Sequence, residues 1–262
     1  MVRIHLERDK SAVGQAAALL GGDAIAAAIA TGGHANIVLA TGVSQFAVLA
    51  CLVRRGDIDW SRVVAFHLDE YVGLPDSHPA SFRRYLRERF TSLLPALGAF
   101  HAIAGDAADL AGEVERLGAL IARHPIDLAF AGICENGHLA FNDPPADFAA
   151  AEAFRVVTLD ERCRRQQLGE GWFATLDEVP RQAVSMTVPQ IMASARVVLA
   201  VPDARKAEAV RGTLEGPVSP LVPASILRRH PACDLFLDGE SAALLARVPA
   251  SVGATGNDKE TS

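Results

Sequence analysis

The run IDLAFAGI, residues 126–133, leads straight into CENGHLAFNDP, residues 134–144. Apart from Asp127, the first run is apolar at odd and even positions alike. Successive strand side chains point to opposite faces, so such a run must be covered on both sides, as strands of a helix-covered parallel sheet are. NIVLA (36–40), VVAFHL (63–68), AVSMTV (183–188), RVVLAV (196–201) and CDLFLD (233–238) are further short β-rich runs, several of them almost wholly apolar. Between them lie helix-forming stretches at 11–30, 44–55, 81–94, 110–124 and 204–216. The alternation predicts an α/β fold: a doubly wound, mostly parallel sheet with helices on both faces, a Rossmann-like single domain over residues 1–248. The polar remainder, 249–262, is expected to be a disordered tail.

Half of the 262 residues are hydrophobic, enough for a sizeable core. Lys plus Arg number 25 against 31 Asp plus Glu, a formal charge of -6, which argues against nucleic acid or an anionic membrane as partner. The four cysteines, Cys51, Cys134, Cys163 and Cys233, form no C-x-x-C pair and read as reduced thiols. MVRIHLERDKSAVGQ has charges where a signal peptide needs its apolar centre, so a cytoplasmic location is expected.

In a doubly wound sheet, ligands bind beyond the carboxyl ends of the strands. Three loops there are unusual. LATGVSQF (39–46) sets Thr41, Gly42, Val43 and Ser44 between strand and helix, where hydroxyls and free N–H groups can hold a phosphate or simply form a capped turn. AFHLDEYVGLPDSHPASF (65–82) sets Asp69, Glu70 and Tyr71 against an apolar run. Charges left in the core cost several kcal/mol unless paired, so this is either a pocket mouth with a general base or a cap for the next helix. CENGHLAFNDP gathers Glu135, Asn136, His138 and Asp143, with Gly137 allowing a bend before the histidine. His138 can move protons near neutral pH and Asp143 can fix its tautomer. A metal held by His67, Asp69 and His138 is disfavoured, because no two ligands share a helix face. Finally, Arg205 and Lys206 fall at the start of a helix, where the dipole disfavours cations and an anionic partner would suit Lys206.

LDEYVGLPDSHPASF and GICENGHLAFNDP, in this order, resemble the glucosamine-6-phosphate deaminase family, within the superfamily shared with 6-phosphogluconolactonase. The resemblance covers about residues 1–248. It implies an amino-sugar phosphate deaminase/isomerase turning glucosamine 6-phosphate and water into fructose 6-phosphate and ammonia, with no metal and no cofactor. It implies Asp69 as the C2 base, His138 in ring opening, Asp143 as its support, and Lys206 with Thr41–Ser44 as the phosphate site. The partner is then a small sugar phosphate, and a homo-oligomer is compatible with the sequence.

Three departures mark a divergent branch. The family usually reads N-D-G-H where this chain reads E-N-G-H, so Asn136 replaces an acid and Glu135 stands beside it; either Asp143 and Glu135 now orient His138, or ring opening has changed. T-G-G-[ST]-P becomes T-G-V-S-Q, placing Val43 at a glycine position. A phosphate-binding arginine is expected near DERCRRQQLGEGWF, where Gln167 occupies the aligned place and Arg162, Arg164 and Arg165 lie close by. The alternatives are a 6-phosphogluconolactonase-like hydrolase, another sugar-phosphate isomerase, or a non-catalytic sugar-phosphate sensor. D-E-Y and G-H-L-A-F-N-D-P favour the deaminase over the lactonase.

Overall fold

The computed structural model describes residues 2–247; the expected tail lies outside the described residues. In chain order the elements are β1 (Arg3–Glu7), α1 (Lys10–Gly32), β2 (Ala35–Leu39), α2 (Phe46–Leu52), β3 (Val63–His67), β4 (Asp69–Tyr71), α3 (Phe82–Arg89), β5 (Ala99–His101), α4 (Leu110–Ile121), β6 (Leu128–Ala131), β7 (Phe154–Thr158), α5 (Glu161–Gly169), β8 (Gln182–Met186), α6 (Val188–Met192), β9 (Arg196–Ala200), α7 (Ala207–Glu215) and β10 (Cys233–Asp238). Seven strands form one parallel sheet, ordered β1-β10-β9-β6-β2-β3-β5.

The apolar runs are buried on both faces, as their pattern requires. Ile37, Leu39, Leu128, Phe130 and Val198 pack with α1 and α2 on one side. Val38, Ala129, Ala131, Val197 and Leu199 pack with α4 and α7 on the other. Helix α1 is long and apolar enough to cross a membrane by length and composition, but here it lies on the sheet. Its small residues permit the close approach to the sheet and to α2: a Cβ at Gly21 would meet the Phe130 ring at 2.3 Å, and one at Gly14 the Ala47 Cβ at 2.3 Å.

The run 183–188 does not join the parallel sheet. Its strand β8 lies between β4 and β7 in a separate antiparallel sheet. The chain thus crosses between sheets within FHLDEY, since β3 ends at His67 and β4 begins at Asp69. That crossing sets the adjacent acids at the seam.

Candidate active site

A pocket opens beyond the carboxyl ends of the parallel strands. Thr41, Gly42, Val43 and Ser44 reach it after β2, Asp69 after β3, His138 after β6 and Lys206 after β9, while α5 contributes Gln167. Of the residues singled out in the sequence, Glu135, Asn136 and Asp143 do not line it.

The loop after β2 turns at Gly42, whose φ of 95° only glycine adopts without strain. Val43 follows inside a short 3₁₀ turn, Val43–Gln45, so its side chain meets no left-handed penalty. Ser44 caps neither this turn nor α2. The loop is braced from outside: Tyr85 donates its hydroxyl to the Gly42 carbonyl at 2.9 Å, and Gln45 Nε2 donates to the Ala131 carbonyl at 3.2 Å.

The two adjacent acids have separate environments. Glu70 is fully buried and accepts from the backbone N–H groups of Tyr71, Phe82 and Arg83 and from the Ser81 hydroxyl. It closes the first turn of α3, so the capping expectation holds for Glu70. Asp69, only 6 % exposed, faces the pocket. Burial pushes its carboxyl up to about 7; the nearby His138 works against this and Glu70 with it. His67, pushed down to about 3 by burial, stays neutral in the core.

His138 is reached through a bend at Gly137, whose φ is 81°. Its Nδ1 lies 2.5 Å from Asp143 Oδ1. Burial works against the charged ring, but Cys134, Cys163 and Asp143 outweigh it, so His138 titrates well above its ordinary value. The Cys163 thiol is itself pushed up to about 12 by burial and stays neutral, whereas the Cys134 thiol is lowered, its burial being outweighed by His138 and Lys206, so Cys134 and the Asp143 carboxylate are the groups that favour the charged ring. Glu135 does not orient His138, contrary to one sequence expectation. Its carboxylate faces Arg205 at 3.5 Å, and its backbone N–H donates to Gln166. Among the described residues, His138, Asp143 and Cys163 offer metal-type donor atoms within 4.8 Å of one another, and the imidazole–carboxylate hydrogen bond accounts for the first two.

No arginine from 162–165 lines the pocket. Arg162 donates to the Glu135 carbonyl, Arg164 is buried against the carbonyls of Leu176 and Val179, and Arg165 pairs with Glu161. Gln167 does line it. Tyr71 donates its hydroxyl to Gln167 Oε1 at 2.6 Å, which leaves the amide nitrogen as the end free to donate. The cations on the wall are Lys10, Arg205 and Lys206. Lys206 is 8 % exposed and donates to the Ile133 carbonyl at 3.1 Å. Sequence reasoning missed Lys10, Cys134, Gln166, Glu170 and Arg205 as lining residues. Lys10 had a signal, since it follows β1 on the same side of the sheet as the other loops.

Residues 8–235 match the family described as glucosamine-6-phosphate isomerases/6-phosphogluconolactonase. The chain belongs to this family. It is 36% identical to the glucosamine-6-phosphate deaminase of Oenococcus oeni over 209 residues, covering 80% of this chain and 86% of that one. It is 37% identical to the enzyme of the same name from Streptococcus equi subsp. zooepidemicus over 213 residues, covering 81% and 88%. A solved monomeric glucosamine-6-phosphate deaminase superposes with a TM-score of 0.84 at 30% identity, covering 93% of this chain and all of that one. The 6-phosphogluconolactonase of Trypanosoma brucei shares the fold, with a TM-score of 0.77 at 18% identity over 94% and 99%. Within the family the chain is an enzyme of the glucosamine-6-phosphate deaminase kind.

Proposed function

We propose that the pocket converts glucosamine 6-phosphate and water into fructose 6-phosphate and ammonia. The observation that carries this is Asp69: a buried carboxyl held near pH 7, facing the same pocket as a proton-bearing His138–Asp143 pair. Isomerisation needs one base that moves a proton between adjacent carbons and a second group that opens the ring. His138 protonates the ring oxygen as the C1–O5 bond breaks, and the C1 hydroxyl gives its proton back to the imidazole, leaving the open-chain aldehyde. Asp69 then takes the C2 proton, giving an enolamine, and returns a proton to C1. Water adds to the resulting C2 imine, and ammonia leaves. Lys206, the Thr41–Ser44 loop and the Gln167 amide bind the phosphate, the remote group whose binding holds C2 over Asp69.

The test is ammonia release from glucosamine 6-phosphate, with galactosamine 6-phosphate and 6-phosphogluconolactone run in parallel. Lactone hydrolysis has no use for a C2 base, so lactone turnover without ammonia overturns the proposal, and binding without turnover points to a sensor.

Two further results are expected. Asp69 must be ionised to act, so kcat/KM should fall about tenfold per pH unit as pH drops below about 7. A flat profile between pH 5 and 7 excludes Asp69 as the base. Removing the cation in Lys206→Ala forfeits a charge-assisted contact of roughly 1.5–3 kcal/mol, so KM should rise about 10- to 100-fold while kcat changes less. Inorganic phosphate should weaken as a competitive inhibitor in step.

A further inference from the structure

The turn after β9, residues 201–206, carries a backbone conformation that its residue type does not favour. Asp203 has φ 94° and ψ 133°, a region that glycine enters freely and side chains rarely adopt. Its N–H donates to both oxygens of Asp238, at 3.2 and 3.1 Å, and Asp238, buried at the end of β10, is itself held by the Ser241 N–H at 2.8 Å. A glycine at 203 would make the same backbone bonds without strain. What glycine lacks is the carboxylate, whose hydrogen bonds run to one residue: it accepts from Arg205 Nε at 3.1 Å, from Arg205 Nη2 at 2.8 Å and from the Arg205 backbone N–H at 3.1 Å. The guanidinium in turn holds the Asp203 carboxyl down at about 2.

Arg205 is thereby fixed on the pocket wall, one residue before Lys206. Its fork toward Asp203 uses the Nε–H and one Nη2–H of five N–H donors. Glu135 Oε1, 3.5 Å from Nη1, lies beyond good hydrogen-bond range, so three donors are left on a side chain that is 49 % exposed. The Asp203–Arg205 pair lies within a single turn and is partly exposed, where ion pairs add little to stability. The strain at Asp203 therefore serves the placing of the guanidinium and not the fold. We infer that Arg205 is a specificity-determining residue and Asp203 its positioning residue: the strained aspartate holds the guanidinium next to Lys206, so that the two cations together select a doubly charged phosphate ester over a singly charged group of the same shape. The guanidinium offers paired N–H groups that match two phosphate oxygens, where the Lys206 ammonium acts as a point charge. The inference deepens the phosphate role given to Lys206 under the proposed function, and its kinetic readout rests on that reading.

The test is calorimetric binding, which needs no turnover. The probes are inorganic phosphate and, in the Asp69→Asn background, glucosamine 6-phosphate against glucosamine 6-sulfate at pH 8, where the phosphate ester carries two charges and the sulfate ester one. Arg205→Ala should weaken phosphate binding about 10-fold, the lower end for a charge-assisted contact at a half-exposed site, and cut the preference for phosphate over sulfate by a similar factor. With Asp69 intact, the same variant should raise KM while kcat changes less. Arg205→Lys should recover only part of the affinity, because an ammonium cannot keep the fork to Asp203 and reach the ligand as well. Asp203→Gly should weaken phosphate several-fold without lowering the melting temperature, since it removes the strain together with the carboxylate. In the Arg205→Ala background it should add no further loss. Native phosphate affinity and native selectivity in Arg205→Ala overturn the inference. So does an Asp203→Gly protein that melts lower yet binds phosphate as before, which would make the turn purely structural, and so do losses that multiply in the double variant. If Arg205→Ala does not fold, Arg205→Gln removes the charge with less loss of volume and is read in the same way. Absence of ammonia release together with an Arg205-dependent phosphate affinity would sink the proposed function and spare this inference.

Discussion

Asp69→Asn is expected to release ammonia about a thousand times more slowly than the native chain while binding inorganic phosphate with unchanged affinity. General bases typically contribute 10²–10⁴-fold, and the amide keeps the shape of the side chain without its ability to take the C2 proton. The same substitution should make the protein more stable at pH 8. The folded-state pKa of Asp69 is raised to about 7 by burial, whereas an unfolded aspartate titrates near 3.8. Between those values the native state holds a proton that the unfolded state has lost. The favourable contribution of the protonated carboxyl is therefore complete below about pH 4 and gone above about pH 7, where the native chain must keep a buried charge. Asparagine removes that cost, a gain of roughly 1–4 kcal/mol at pH 8 that vanishes at pH 4. Melting curves at the two pH values check it. Equal melting temperatures at pH 8 would mean that the carboxyl is not held near neutrality, and the assignment of the base would fall with it.

Much of this architecture was legible because it rests on period and punctuation. The strands at 36–40, 126–133 and 196–201 are largely apolar on both faces, and the structure divides their alternate residues between two cores. The order of loops beyond those strands placed Thr41–Ser44, Asp69, His138 and Lys206 on one side of the sheet, and one pocket gathers them. What the sequence hid were partnerships between distant segments. AVSMTV alternates Ala183, Ser185 and Thr187 with Val184, Met186 and Val188, the pattern of a strand with one apolar face, but nothing local says that it pairs with Asp69–Tyr71. Nothing local to CENGH says that Glu135 turns to Arg205, seventy positions on, while Asp160 takes up the Asn136 amide. Arg162, Arg164 and Arg165 read as equal candidates in sequence because a guanidinium's partner is set by tertiary packing; in the fold all three turn to carbonyls or to Glu161. Val43 stands where the family pattern has a glycine, but the left-handed residue of that turn is Gly42.

Glu70 is chemically Asp69's neighbour and twin, and its removal should have the opposite character. Its carboxylate sits fully buried where β4 meets α3, taking the N–H groups of Tyr71, Phe82 and Arg83 and the hydroxyl of Ser81, with Arg83 Nε 3.7 Å away. In Glu70→Ala these donors lose their acceptor together. Each orphaned buried group costs about 1–3 kcal/mol, and water entering the cavity recovers part of the sum. A net loss of at least about 3 kcal/mol is expected, or roughly 6–12 °C in melting temperature for a domain of this size. Arg83 keeps Asp106 at 2.8 Å, so the loss comes from the helix start and not from a stranded charge. Urea and thermal melts measure it, while kcat per folded molecule should fall far less than in Asp69→Asn. A melting temperature within about 2 °C of the native value would show that α3 finds other acceptors, and that the division of labour between two adjacent acids, one exposed to substrate and one to backbone, is wrong.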